Sequence, residues 1–291
     1  MSDYLQPTIH QARSEGVATL RAAEIDSAAL DARVLIAHVL GESQTGLLLR
    51  DPEAIPKQDL ERYRKVVAQR ATGVPVAYLI GHREFMGLEF RTQPGVLVPR
   101  PDTEPLVEWG LTWLRNHPEA NVVDIGTGSG AIAVSTVYHV APGWSGELVA
   151  TDIGENALGI AMENANALLP PERRSSISFR QGSLTAPLTH PVDLLLTNLP
   201  YLTPLQLESN PDLRHEPLIA LDGGADGLDL VRQVIADLPR ILAPDGAVGF
   251  EIDPSQSADV QRLLAEVLPE HRVEVVHDLS GDERHVVAWF P

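Results

Sequence analysis

Along the first part of the chain the apolar positions keep a helical interval. In SAALDARVLIAHVLGE, Leu30, Val34 and Ala37 fall on one face, Ser27 stands where a helix cap belongs, and Gly41 where a helix ends. DLERYRKVVAQRATG predicts a second helix from Asp59 to Gly73. Neither stretch alternates as a strand does, so residues 1–74 read as a small helical domain. Between residues 75 and 98, VAYLIGHREFMGLEFRTQPGVLVPR carries short apolar runs broken by Gly and polar pairs, which predicts a hairpin or two strands joining two modules. Pro99 and Pro101 then stiffen the chain before DTEPLVEWGLTWLRNH, where the helical interval returns.

From Asn121 onward the period changes repeatedly. NVVDIGTGSG is followed by a helix over Ala131–His139, the strand ELVATDI, a helix over Asn156–Leu169, SISFRQGS, and then VDLLLTNLPY. A helix near Leu228–Leu238, the strand GAVGFEI, SADVQRLLAEVLP and the strands HRVEVVHDL and HVVAWF complete the series. Strands alternating with helices of this length predict an open α/β fold with a mostly parallel sheet. The short SGDER connection makes the last pair antiparallel, with an antiparallel last strand at one side.

Charge sharpens this division. The 291 residues carry 22 basic and 40 acidic side chains, a net charge of −18. Residues 111–291 hold 10 basic and 25 acidic groups, whereas residues 1–70, with 9 and 10, are nearly neutral. Such a surface argues against direct nucleic-acid binding, because a local basic patch would have to overcome long-range repulsion. Arg62, Arg64, Lys65 and Arg70 form one basic cluster, read either as a solvated helix face or as a place for an acidic partner. No cysteine occurs, which excludes thiol catalysis and cysteine-ligated metal, and no long uncharged apolar run predicts a membrane span. His38, His82 and His215 lack ligand spacing, so no metal is expected. A cytoplasmic monomer is the expectation.

Candidate chemistry gathers at two strand ends. Asp124, Gly126, Thr127, Gly128, Ser129 and Gly130 follow an apolar strand and open a helix, where glycines let a ligand approach the backbone. The next strand ends at Asp152, an acid suited to ribose hydroxyls. A dinucleotide fits this pattern as well. The loop is not G-x-G-x-x-G, however, and the Asp124 carboxylate would repel a pyrophosphate, so a cofactor with a cationic amino-acid end such as S-adenosylmethionine fits better. Further on, Asn198, Leu199, Pro200 and Tyr201 follow VDLLLT at the edge where open α/β sheets bind ligands. An amide or amino nitrogen has a delocalised lone pair and needs hydrogen-bond acceptors that hold it for attack. The Asn198 side chain and the Leu199 carbonyl can supply them, and Tyr201 can lean its ring on a planar acceptor.

At these residues the chain resembles the class I S-adenosylmethionine-dependent methyltransferases, with their Rossmann-like sheet, and more narrowly the protein-(glutamine-N5) methyltransferases of peptide chain release factors. PVAYLIG, EFMGLEF, VLVPRPDTEPLVE, DIGTGSGAIA, EPLIALDGGADGLD and DLSGDERHVVA carry the likeness over nearly the whole chain. The resemblance implies a methyltransferase domain over residues 99–291 and a substrate-recognition role for the helical domain. It implies S-adenosylmethionine, leaving as S-adenosylhomocysteine, and a release factor whose Gly-Gly-Gln glutamine receives the methyl group. Gly126–Gly130 and Asp152 would contact the cofactor, Ser183 would lie beside adenine, and Asn198, Pro200 and Tyr201 would meet the glutamine amide. Arg100, Asp102 and Glu104 would stand near the pocket mouth, with Glu216-Pro217 and Asp222-Gly223-Gly224 packed beside the acceptor channel. Two departures stand out: Leu199 replaces the family's usual first proline, and Gln181–Ser183 lacks the acid often found beside adenine. Asn-Leu-Pro-Tyr also occurs in adenine N6 methyltransferases of ribosomal RNA, which is the alternative enzyme reading, and a non-catalytic binding protein is a third.

Overall fold

The structure, a computed structural model, describes residues 6–278 and 280–291. Contacts divide the chain into two units: one runs through Gly81 and takes in Pro211–His215, and the other comprises His82–Asn210 and Glu216–Pro291.

The first unit is helical. It contains α1 (Ile9–Ala22), α2 (Ala28–Leu40), α3 (Gln44–Arg50), α4 (Lys57–Ala71) and α5 (Val76–Ile80). Thr8 caps α1 in a reciprocal capping box with Gln11, and α2 ends at Gly41 in the left-handed conformation. Ser27 makes no cap bond to the backbone; its hydroxyl donates to Asp31 instead. The buried face of α2 is Ala28, Ala32, Leu35, Ile36 and Val39, whereas Leu30 is half exposed and Val34 only partly covered. Apolar residues surround α2 on nearly every side, so helical spacing alone does not select its inner face. The stretch expected as the start of a hairpin is the helix α5, entered after Pro75 and closed by Gly81, with Ala77 buried. Three of the basic cluster's cations are held by acids of the same unit: Arg62 by Asp59 at 3.2 Å, Arg64 by Glu15 at 2.8 Å and Arg70 by Asp31 at 2.7 Å. The cluster is therefore no bare basic patch.

The second unit opens with the hairpin β1 (His82–Phe85) and β2 (Leu88–Arg91). Its sheet strands are β3 (Val122–Ile125), β4 (Leu148–Asp152), β5 (Ile177–Gln181), β6 (Val192–Thr197), β7 (Leu242–Glu251), β8 (Arg272–His277) and β9 (Glu283–Trp289). The helices are α6 (Glu104–Leu114), α7 (Ala131–His139), α8 (Glu155–Leu168), α9 (Pro204–Ser209), α10 (Asp229–Ile241) and α11 (Ser257–Val267). Strand order is β5-β4-β3-β6-β7-β9-β8, parallel from β5 to β7, with β9 antiparallel to both neighbours. Alternate residues feed two separate cores: Val122, Leu194, Leu196 and Ala247 enter one, and Val123, Leu195 and Val248 the other. A sheet covered on both faces explains why VDLLLT reads as an unbroken apolar run. The order reverses between β3 and β6, so the loops leaving both strands open into one crevice. Among the described residues no helix is long and apolar enough to cross a membrane.

Candidate active site

The glycine loop is fixed from the sheet outward. The Gly126 and Thr127 amides donate to the Thr151 carbonyl at 2.9 and 2.8 Å, which ties the end of β3 to the end of β4. Gly126 and Gly130 take φ of 73° and 83°, in the left-handed region where a side chain is strained. A Cβ on Gly130 would also lie 3.1 Å from that of Ala161 on α8, so this glycine lets α7 and α8 approach.

A cavity of about 260 Å³ opens above this loop. Gly126, Thr127, Gly128 and Ser129 form one wall, Asp152 and Ser183 another, and Asn198, Leu199 and Pro200 a third. The Asp152 carboxylate accepts from the Gly128 amide at 2.9 Å and the Gly154 amide at 2.8 Å. Lone pairs remain on both oxygens, so Asp152 can still accept hydroxyl hydrogens from a ligand. Gly182, Ser183 and Leu184 add a neighbouring wall that carries no acid.

Three of the expected residues stand off the wall. Gly130 lies behind it at the start of α7. Asp124 lies beneath the loop, 1% exposed, where Oδ2 accepts from the Thr127 hydroxyl at 2.6 Å and the Ala133 amide at 3.1 Å. Burial raises its pKa from 3.8 to about 7, against the lowering effect of those two bonds, with the Asp152 charge adding to the rise. Tyr201 turns its phenol away, donating to Glu251 Oε1 at 3.3 Å, and burial pushes its pKa up, so it stays a neutral donor.

The acceptor loop leaves the C-terminal end of β6. Asn198 donates from Nδ2 to the Thr103 hydroxyl at 3.1 Å, which leaves Oδ1 available as an acceptor. Leu199, the departure from the family's usual proline, buries its side chain in the core that α10 also lines, only 2% exposed. A Cβ on Gly126 would sit 3.4 Å from Leu199 Cδ2 and 3.9 Å from the Asn198 carbonyl oxygen, so the glycine loop and the acceptor loop pass close enough that a side chain at 126 would fill the space between them. A ligand cradled by one is thereby presented to a group held by the other.

Sequence reasoning missed some of the wall. Phe85 of β1 and Thr103 both line the cavity. Arg100, expected near the pocket mouth, does line it and is anchored by the buried Glu216, whose other oxygen accepts from the Val98 amide at 3.0 Å. Pro217, Ile219 and Ala220 follow Glu216 onto the wall, while the Asp222-Gly223-Gly224 turn lies outside it. Asp102 is exposed and Glu104 caps the hairpin turn by accepting from the Met86 amide at 2.8 Å. No group of acids and histidines suited to a metal ion occurs among the described residues.

Comparison with known proteins places the chain in a family. The PrmC N-terminal domain family matches residues 11–81. The chain is 36% identical to the release factor glutamine methyltransferase of Moorella thermoacetica over 284 residues, 97% of this chain and 98% of that one. It is 37% identical to the enzyme of the same name from Deinococcus radiodurans over 277 residues, 94% of this chain and 96% of the relative. In fold it is similar to the hMettl16 catalytic domain, with a TM-score of 0.53 at 16% identity, over 80% of this chain and 82% of that one. With a shared sequence over nearly its full length, this chain belongs to the release factor glutamine methyltransferase family.

Proposed function

We propose that the protein methylates N5 of the glutamine side chain in the Gly-Gly-Gln loop of a peptide chain release factor, using S-adenosylmethionine. The observation that carries this reading is the shared cavity walled by the glycine loop and the Asn198 loop, in a chain whose relatives over nearly the full length are named release factor glutamine methyltransferases. The cavity suits the cofactor: Asp152 offers acceptors for ribose hydroxyls, Gly126 and Gly128 expose backbone, and Ser183 borders the space for a base. Bound there, S-adenosylmethionine supplies an electrophilic sulfonium methyl group and departs as S-adenosylhomocysteine.

The chain's own contribution is positioning. Asn198 Oδ1 and the Leu199 carbonyl accept from the two amide hydrogens of the glutamine, turning its nitrogen lone pair toward the methyl carbon. The N–C bond forms as the C–S bond breaks, and the sulfur keeps the electron pair. The nitrogen becomes acidic as it gains carbon, so its proton leaves late, to water, without a strong base. The Pro200 ring has no amide hydrogen to compete for the acceptors.

Asn198→Ala is expected to reduce methyl transfer roughly 100-fold or more, the usual effect of losing one oriented transition-state partner, with little change in cofactor affinity. The assay incubates labelled cofactor with a release factor or with structured RNA and locates the label by mass spectrometry. Label on an adenine and none on the glutamine would overturn the proposal.

A further inference from the structure

Beside the acceptor loop lies a buried polar pair that the reaction as described leaves idle. Glu251 ends β7 and is 1% exposed; His285, its register partner on β9, is 0% exposed. Glu251 Oε1 accepts from the Tyr201 phenol at 3.3 Å. Among the described residues its Oε2 has no hydrogen-bond partner, nor has either ring nitrogen of His285, and His285 Nε2 stands 3.7 Å from that oxygen. Phe250, Ile252, Val286 and Val287 around them are fully buried apolar residues. Two apolar side chains here would avoid three unpartnered polar atoms, so stability alone does not account for a glutamate and a histidine at these positions. Among the described residues, the side-chain hydrogen bond the pair makes goes to Tyr201.

Tyr201 is also held at its other end. Gln256, buried at the start of α11, donates from Nε2 to the Tyr201 carbonyl at 2.8 Å. The residue closing the acceptor tetrapeptide is thus pinned at the backbone by Gln256 and at the phenol by Glu251. With Asn198 tied to Thr103 at the opposite end, the four residues are fixed at both termini.

We infer that Glu251, backed by His285, is a positioning residue for methyl transfer: through the Tyr201 phenol it sets where the acceptor loop presents Asn198 Oδ1 and the Leu199 carbonyl to the glutamine amide. This rests on the reading of Asn198–Tyr201 as the acceptor site. His285 keeps the carboxylate turned toward Tyr201 by occupying the space behind Oε2.

The test uses the full chain with S-adenosylmethionine and a release factor, in the wild type, Tyr201→Phe, Glu251→Ala, Glu251→Gln and the Tyr201→Phe/Glu251→Ala double variant. Loss of one hydrogen bond to a charged group predicts a fall in kcat of roughly 10-fold or more for Glu251→Ala. Cofactor Kd should stay unchanged, and Glu251→Gln, which keeps an acceptor, should recover most of the rate. The double variant should be no slower than the worse single one, because both act through the same bond. Amide hydrogen exchange at residues 199, 201 and 202 should quicken alike in Tyr201→Phe and Glu251→Ala. Wild-type kcat in Glu251→Ala, multiplied losses in the double variant, or exchange in the loop unchanged by Glu251→Ala would each overturn the inference. If Glu251→Ala does not fold, Glu251→Gln matching Glu251→Asp in rate, with neither distinguishable from Tyr201→Phe, would overturn it too. A wild type that binds cofactor yet leaves the glutamine unmethylated defeats the functional reading instead, and the exchange data then decide the pair.

Discussion

Replacing Asp124 by asparagine should remove a pH dependence that the wild-type fold carries in its glycine loop. The carboxyl is buried, and its pKa stands at about 7 against the ordinary 3.8. A raised value means that the folded protein keeps a proton which the unfolded chain has already released. The stabilisation from this group is therefore whole below about pH 4, shrinks as pH rises, and is gone above about pH 7. Within that window the loss is about 1.4 kcal/mol per pH unit, and across it about 4 kcal/mol. Asparagine preserves the shape and an oxygen for the Thr127 hydroxyl and the Ala133 amide, but does not titrate. Urea unfolding of both proteins without cofactor, at pH 4, 5.5, 7 and 8, isolates the group, because every other titration is common to the pair. The variant's stability relative to the wild type should climb by about 4 kcal/mol from pH 4 to pH 8. A relative stability that stays flat over that range, or falls, would refute the argument that burial holds the proton on Asp124.

Further consequences can be checked by similar means. Asp31→Ala leaves the half-buried Arg70 without its carboxylate, and should cost about 3 kcal/mol in the helical unit, whereas Arg262→Ala on the exposed face of α11 should cost under about 1 kcal/mol by the same denaturation assay. Gly130→Ala combines left-handed backbone strain with a clash against Ala161, so both the melting temperature and cofactor affinity by calorimetry should fall. Leu199→Ala opens a void where the acceptor loop meets the core, and a loss of about 2–5 kcal/mol in unfolding free energy is expected.

How much of this was readable beforehand varies with the range of the interaction. The helix Ala131–His139, the strand into Asn198 and the antiparallel pair at the end were legible because their signals are local: a period of apolar residues, a glycine loop, a short turn. The segment VAYLI misled because five apolar residues with two β-branched members and an aromatic one suit a strand or a helix equally, and Pro75, Gly81 and packing of Ala77 decide. Leu30 misled because α2 is apolar on nearly every side, and its neighbours choose which face goes inward. The long-range ties that fix the acceptor loop and the cavity wall were invisible for another reason. Thr103 reaches Asn198 across 95 positions of sequence and Arg100 reaches Glu216 across 116, distances over which no spacing rule operates. The same holds for the basic cluster, whose Arg64 and Arg70 find acids on α1 and α2.

The placement of β9 between β7 and β8 bears on how the molecule comes into being. Among the described residues strand β8 pairs in the sheet with β9 alone, although β9 is made after it. During synthesis β8 must therefore wait, unpaired and carrying Val273, Val275 and Val276, until Glu283–Trp289 has emerged and slotted in beside β7. A chain that stops short of β9 loses the bridge between β7 and β8, and exposes the flank of β7 as an open edge inviting association. It also loses His285 and the neighbours of Glu251. Completion of this sheet, and of the buried support behind Tyr201, thus waits on the synthesis of β9.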